Sequence, residues 1–217
     1  MRITLSLLAI FLLPLTSAYG KEEKKQKPLV VLNIKEKIDG KTSKRGYASM
    51  FLTSFFQALG FDVYNKQPMY VSKKKRKKFK EYQNALKNKK PTFTIQGTIK
   101  VFLDRPITFQ GSTQGYVYRG AMKLTLLDKN NQEKLIIQDK HEHGASRGST
   151  NNNLPRAKKL AAKRTIVHLA YFTVPHLYYF KPILNLVSGN KSKIEKRVKA
   201  FQKLRTKYKG KTKVLHK

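Results

Sequence analysis

The sequence predicts an α+β fold: a mixed, largely antiparallel sheet with helices on one face, in the order β-α-β-α-β-β-β-α, followed by a basic C-terminal tail. Three observations predict it. In the first half, short runs rich in β-branched residues alternate with segments whose apolar residues recur at three and four. Three period-two segments then follow one another between residues 93 and 138, the pattern of an antiparallel meander. A long apolar-faced helical segment closes the series, and gathering helices on one side of such a sheet is the economical packing.

The elements follow in order. Leu29-Val-Val-Leu-Asn-Ile34 reads as a buried strand, ended by the turn formers Asp39-Gly40. Thr42 or Ser43 is placed to cap a helix presenting Tyr47, Met50, Phe51, Ser54, Phe55, Ala58 and Leu59 on one face. Gly60 stops it, because glycine enters the left-handed cap cheaply. Phe61 to Asn65 alternates as a second strand, and Phe79, Tyr82, Ala85 and Leu86 are spaced for a short helix within a lysine-rich segment. Phe93 to Val101, Tyr116 to Leu126 and Lys134 to Gln138 are the meander strands, the last two joined by the turn Asp128-Lys-Asn-Asn131. Pro155 opens the closing helix at a position that tolerates proline. Its face is Ala157, Leu160, Ala161, His168, Leu169 and Phe172, and Pro175 is expected to end it.

Length and termini set the organisation. A chain of 217 residues suits one domain with a substantial core rather than two. Met1-Arg2, an apolar run from Ile3 to Leu15 and the small residues about Ala18 and Gly20 have the layout of a signal peptide. Its apolar core falls well short of the roughly 20 residues a spanning helix needs. The expected organisation is a signal peptide over 1–20, a charged leader over 21–28, one domain over 29–175 and a basic extension over 176–217. Cleavage after Ala18 or Gly20 leaves a periplasmic or secreted protein with no transmembrane span. With no cysteine in the chain, disulfides, thiolate metal sites, thiol catalysis and a lipid attached to an N-terminal cysteine are excluded.

Charge names a class of partner. Lys and Arg number 47 against 12 Asp and Glu, a formal charge of +35. Such a chain attracts anionic surfaces. The densest cluster is Lys73, Lys74, Lys75, Arg76, Lys77, Lys78 and Lys80, and a second lies at Lys196, Arg197, Lys203, Arg205 and Lys207, on a stretch where Ile194, Val198 and Phe201 form a basic amphipathic helix. In isolation these runs read most simply as solvated surface. As binding groups they suit acidic lipid or glycan at about 1 kcal/mol per cation near a charged membrane. An exported chain meets little nucleic acid, and no nucleic-acid module is present.

The phrases VVLNIKEKIDG, ALGFDVYN, TFTIQGTIKVF, YRGAMKLTLLDKNNQEKL and GASRGSTNNNLPRAKKLAAKRT stand in that order between about 29 and 172. In this order they resemble the envelope superfamily of the curli secretion lipoprotein, the lipoprotein activators of penicillin-binding proteins, flagellar assembly protein T and the N-terminal domain of TolB. The resemblance implies a non-catalytic adaptor or assembly factor that binds another envelope protein. It carries over no functional residue, and the chain lacks the lipid-bearing cysteine of the lipoprotein members.

Catalytic signals are sparse. His141 and His143 flank Glu142 and can face one way, but a zinc site needs further ligands that the neighbouring sequence does not supply. His168 reads as a satisfied core histidine, and Ser146 and Ser149 lack a nucleophile elbow. No Walker-type phosphate loop occurs. The expectation is a protein without catalytic residues or cofactor, acting as an envelope adaptor held to anionic surfaces. A polyanion-binding protein is the first alternative, and an exported hydrolase using His141 or His143 the second.

Overall fold

Alternation along the first strand sets the architecture of the whole molecule. The computed structural model describes residues 26–147, 153–207 and 213–217, without the side chains of 141–147 and 204–207. In β1 (Leu29–Ile38), Val30, Leu32, Ile34 and Glu36 are buried on one side, while Asn33, Lys35 and Lys37 emerge on the other. β1 runs parallel to β3 (Asp62–Asn65) and to β4 (Phe93–Phe109), and antiparallel to the two-residue β2 (Lys41–Thr42). β4, β5 (Ser112–Asp128), β6 (Glu133–Arg147) and β7 (Lys213–His216) continue the sheet antiparallel. The strand order is β2-β1-β4-β5-β6-β7, with β3 beside β1. The sequence-predicted α+β class and mostly antiparallel sheet are what the chain forms.

One side of the sheet carries the core. α1 (Tyr47–Ala58), α3 (Leu154–Tyr178) and α5 (Lys191–Lys207) pack there, bringing Leu52, Phe56, Ile166, Leu169 and Val198 against Leu32, Ile95, Leu124 and Leu135. Gly120 makes the close approach of α3 possible, because a Cβ there would lie 2.7 Å from Leu169 Cδ1 and 2.9 Å from Thr165 Cγ2. α2 (Arg76–Leu86), after a 3-10 turn at Lys73–Lys75, is the exception in placement. Its Leu86 and Tyr82 meet Leu29, Val31 and Tyr64 on the opposite side, at one margin of the sheet.

α2 also closes an edge. Tyr82 Oη accepts from Val63 N at 3.0 Å, Gln83 Oε1 accepts from Asn65 N at 2.7 Å, and Gln83 Nε2 donates to Val63 O at 2.8 Å. Side chains thus occupy the outer backbone groups of β3, which would otherwise offer a template for another strand.

Several boundaries depart from the sequence reading. α1 is not capped by Thr42 or Ser43. Its N-cap is Gly46, in the left-handed region, and the buried Glu36 of β1 takes the capping role from a distance, accepting from Tyr47 N at 2.8 Å and Ala48 N at 2.7 Å. The buried face of α1 is centred on Leu52 and Phe56, so Ser54 and Ala58 are exposed rather than inward. The meander strands are longer than expected because Gln110 and Gly111, both at positive φ, make a two-residue turn that lets β4 and β5 pair to Phe109 and Ser112. Pro175 does not stop α3: it gives up only its own N–H bond, and the helix runs on to Tyr178 with Tyr179 N donating to Pro175 O at 3.0 Å. Beyond it, α4 (Lys181–Leu184), α5 and β7 join the packed body through Ile183, Ile194, Val198 and the pairing of β7 with β6.

Candidate functional site

Beyond the margin occupied by α2, the side of the sheet opposite the core is covered by no helix among the described residues and is cationic. Pairing register places Lys35, Thr98, Lys123, Gln138 and Lys213 opposite one another in a single row across β1, β4, β5, β6 and β7. The next row is Lys37, Lys100, Ala121 and Lys140. On the other flank lie Asn33, Gln96 and Thr125. Residues opposite each other in a sheet project to the same face, so both lysine rows stand on the side away from the core. The twisted face holds a depression of about 800 Å³ lined by Lys35, Lys100, Lys123, Lys140 and Lys213.

Among the described residues, four acids are engaged in ion pairs elsewhere. Asp104 pairs with Arg105 at 2.7 Å and Arg119 at 2.9 Å, Asp128 with Lys134 at 3.4 Å, Glu133 with Lys217, and Glu195 with Lys199 at 3.2 Å. Asp139 borders the depression, but it stands opposite Met122 on the core side and is 2 % exposed. Among the described residues none of the lysines of the two rows lies in an ion pair.

Two polar anchors hold the strands that carry these rows. Glu36, beside Lys35 and Lys37, is raised above its ordinary pKa by burial, against the pull of the α1 N–H groups that bond its carboxylate. Asp39, in the turn after β1, accepts from Leu103 N at 2.8 Å and from Tyr118 Oη at 2.7 Å, and its own N–H donates to Val101 O at 2.9 Å. Burial and then the Asp39 carboxylate push the Tyr118 phenol well above its usual range. β1, β4 and β5 are therefore pinned together at one end of the lysine rows.

The sequence-predicted binding residues are split between the two sides. Lys73, Lys74 and Lys75 sit on the 3-10 turn and Arg76, Lys77, Lys78 and Lys80 on α2, all exposed, on the open side at the sheet margin. Arg76 and Lys80 line a second groove of about 640 Å³ with Lys44, Tyr70 and Phe79. Lys196, Arg197 and Lys203 are exposed on α5, on the helix-covered side, and Arg205 and Lys207 close that helix, where side chains lie outside the described residues. The two groups do not form one surface.

The lysines of the open face were not singled out by sequence reasoning. Their signal is present in the polar positions of LNIKEKI, GTIKVF and GAMKLT, but only strand register reveals that these positions align. His141, His143, Ser146 and Ser149 lie outside the residues whose side chains are described. His168 is half-buried beside Tyr171, at 6.0 Å between ring centres, and burial followed by Arg164 lowers its pKa. Among the described residues no group of three potential ligands could hold a metal ion, and no helix is long and apolar enough to cross a membrane.

Fold and site together define a class: an α+β protein with a one-sided sheet whose free side is a cation array. No family profile and no curated protein matches the chain. Among solved structures, a neuraminyllactose-binding hemagglutinin homolog from Helicobacter pylori aligns over 83 % of this chain and 91 % of its own, at 11 % identity and a TM-score of 0.39. A PelC dodecamer from Paraburkholderia phytofirmans aligns over 65 % and 88 % at 16 % identity, with a TM-score of 0.28. Likeness at this level assigns no function, and neither structure bears on the families the sequence resembles.

Proposed function

We propose that this is an exported, non-catalytic protein of the cell envelope that holds an anionic partner on the open face of its sheet. The observation that carries the reading is the pair of lysine rows, aligned on an uncovered depression and in no ion pair among the described residues. Assembling like charges on one face costs folding free energy through repulsion, and a bound polyanion removes that cost. The signal-peptide layout of residues 1–20 supports export. The exposed cations of residues 73–80 supply a separate contact to an anionic lipid or glycan surface.

A second reading, an adaptor gripping another envelope protein, is favoured by a different feature. From Lys140 to Arg147, β6 pairs with β5 alone among the described residues, and a strand edge of that kind accepts an added strand.

Titration of labelled polyphosphate and labelled polygalacturonate against salt tests the main reading. The log of the binding constant should fall linearly with log salt. Replacing Lys35, Lys100 and Lys123 by Gln should flatten that slope, whereas replacing Lys73 to Lys78 should change it less. A triple variant binding both probes as the unaltered chain does would remove the open face from the function. Export is checked by the mass of the protein recovered from native cells: a chain retaining Met1 contradicts it.

A further inference from the structure

Resting on that reading, we infer that the open face takes an acidic glycan lying across the strands, with its charged groups on the lysines and its hydroxyls on the neutral side chains between them. The row Lys35, Thr98, Lys123, Gln138, Lys213 alternates cation, neutral hydrogen-bonding group, cation, neutral group, cation over five neighbouring strands. Strands lie about 4.8 Å apart, so cations two strands apart stand about 10 Å from one another at the backbone. In the adjoining row Lys100 and Lys140 keep the same two-strand interval, with Ala121 between them.

That interval distinguishes among polyanions. One strand of a duplex carries a phosphate for about every 3.4 Å of its axis, more than one for each cation of the row, and leaves Thr98 and Gln138 opposite charge. Single-stranded nucleic acid is gripped by aromatic platforms on which bases stack. Among the described residues the lining has none: Phe102, one residue pair beyond Lys100 and 49 % exposed, stands outside it. A flat membrane meets protruding cations, whereas these line a hollow. A protein partner relies on an apolar centre within its contact, and the lining here is mostly Lys, Thr, Gln and Asn, with Ala121 and Met122 its only apolar side chains among the described residues.

A glycan whose acidic sugars are separated by neutral ones matches the alternation. Lysine ammonium groups donate to its carboxylate, sulfate or phosphate oxygens. Threonine hydroxyls and glutamine or asparagine amides both donate and accept, as sugar hydroxyls require. Asn33 and Gln96 widen this neutral surface on one side of the row.

The test uses the purified chain at about 0.15 M salt. Its probes are an oligosaccharide with carboxylates on alternate sugars, a neutral oligosaccharide of equal length, oligodeoxythymidylate of equal charge, and vesicles with and without phosphatidylglycerol. The expected result is preference for the acidic oligosaccharide. Lys123→Gln with Lys213→Gln should weaken it about tenfold or more, the loss of charge-assisted hydrogen bonds. Thr98→Ala with Gln138→Ala should weaken it about three- to tenfold without altering the salt slope. The second pair is what a mere charge patch would not feel. All four replaced residues are exposed or half-exposed, and unchanged unfolding midpoints of both double variants verify their fold. Equal binding of oligodeoxythymidylate and glycan, or indifference to the Thr98 and Gln138 replacements, overturns the glycan inference and leaves the anionic-partner reading standing. Binding confined to the anionic vesicles overturns it in favour of a lipid surface. Failure of every anionic probe, polyphosphate included, overturns both.

Discussion

The two faces of the sheet are built from the same strands and obey opposite rules. Toward the helices, Leu32, Ile34, Ile99, Leu124 and Ile137 are almost wholly sealed from water. One residue along in each strand, Asn33, Lys35, Lys100, Lys123 and Gln138 stand in or near solvent. On the covered face a side chain is valued for its volume, because interiors are close-packed and a void has no contacts to offer. On the open face, away from the margin where Leu29 and Val31 meet α2, an exposed side chain adds little to folding, and its identity is free to serve binding. What the difference teaches is that composition follows face rather than strand.

The comparison breaks most sharply at three consecutive positions of β1. Ile34→Ala, on the covered face, should cost about 2–5 kcal/mol in denaturant unfolding, from lost burial and the cavity left behind. An effect below that range would mean the covered face is loosely packed.

Glu36→Ala comes next. It strands the N–H groups of Tyr47 and Ala48 and should cost about 1–3 kcal/mol. The pH dependence sharpens this. Burial raises the Glu36 pKa, so the folded state holds its proton more tightly than the unfolded chain. Its contribution is therefore fully present below the ordinary glutamate value and is lost as pH rises through the raised folded pKa. The stability difference between the unaltered chain and Glu36→Gln should thus fall with rising pH in that window and level off above it. A difference that grows with pH there contradicts the assignment.

Tyr118→Phe should cost about 1 kcal/mol through the lost bond to Asp39, read as a shift in midpoint at constant m-value. Smallest is Lys35→Ala, expected within about 0.5 kcal/mol of the unaltered chain even though it lies one residue from Ile34. A loss comparable to that of Ile34→Ala would erase the distinction between the faces.

How much of this was legible in the sequence follows from the range of the interactions involved. Period-two alternation located the meander and three-four spacing located the helices, because those signals are local. The cap supplied by Glu36 was not legible, since it joins a strand to a helix eleven positions later through the tertiary fold. The face of α1 was misjudged because aromatic residues recur all round it: Phe51 does pack, but against Tyr171 and Phe201 of the neighbouring helices rather than into the sheet. The stripe Ile194, Val198 and Phe201 was legible as a helix face, though not its destination in the core. For the site, the dense lysine runs drew the eye and the scattered ones did not. Lys35, Lys100, Lys123 and Lys213 are dispersed along the chain, and only hydrogen-bonded register makes them neighbours.

β7 has a kinetic consequence. Leu135 pairs with His216 across an intervening stretch that includes all of α3, α4 and α5. Closing so long a loop for a four-residue strand returns few contacts for the entropy spent, whereas β4, β5 and β6 zip through neighbouring turns. The sheet should consequently mature from its centre outward, with the C-terminal strand docking last. Because that strand carries Lys213, the final column of the cation array arrives only with this last step. A chain whose end is trimmed or tethered would keep a folded centre and an incomplete array.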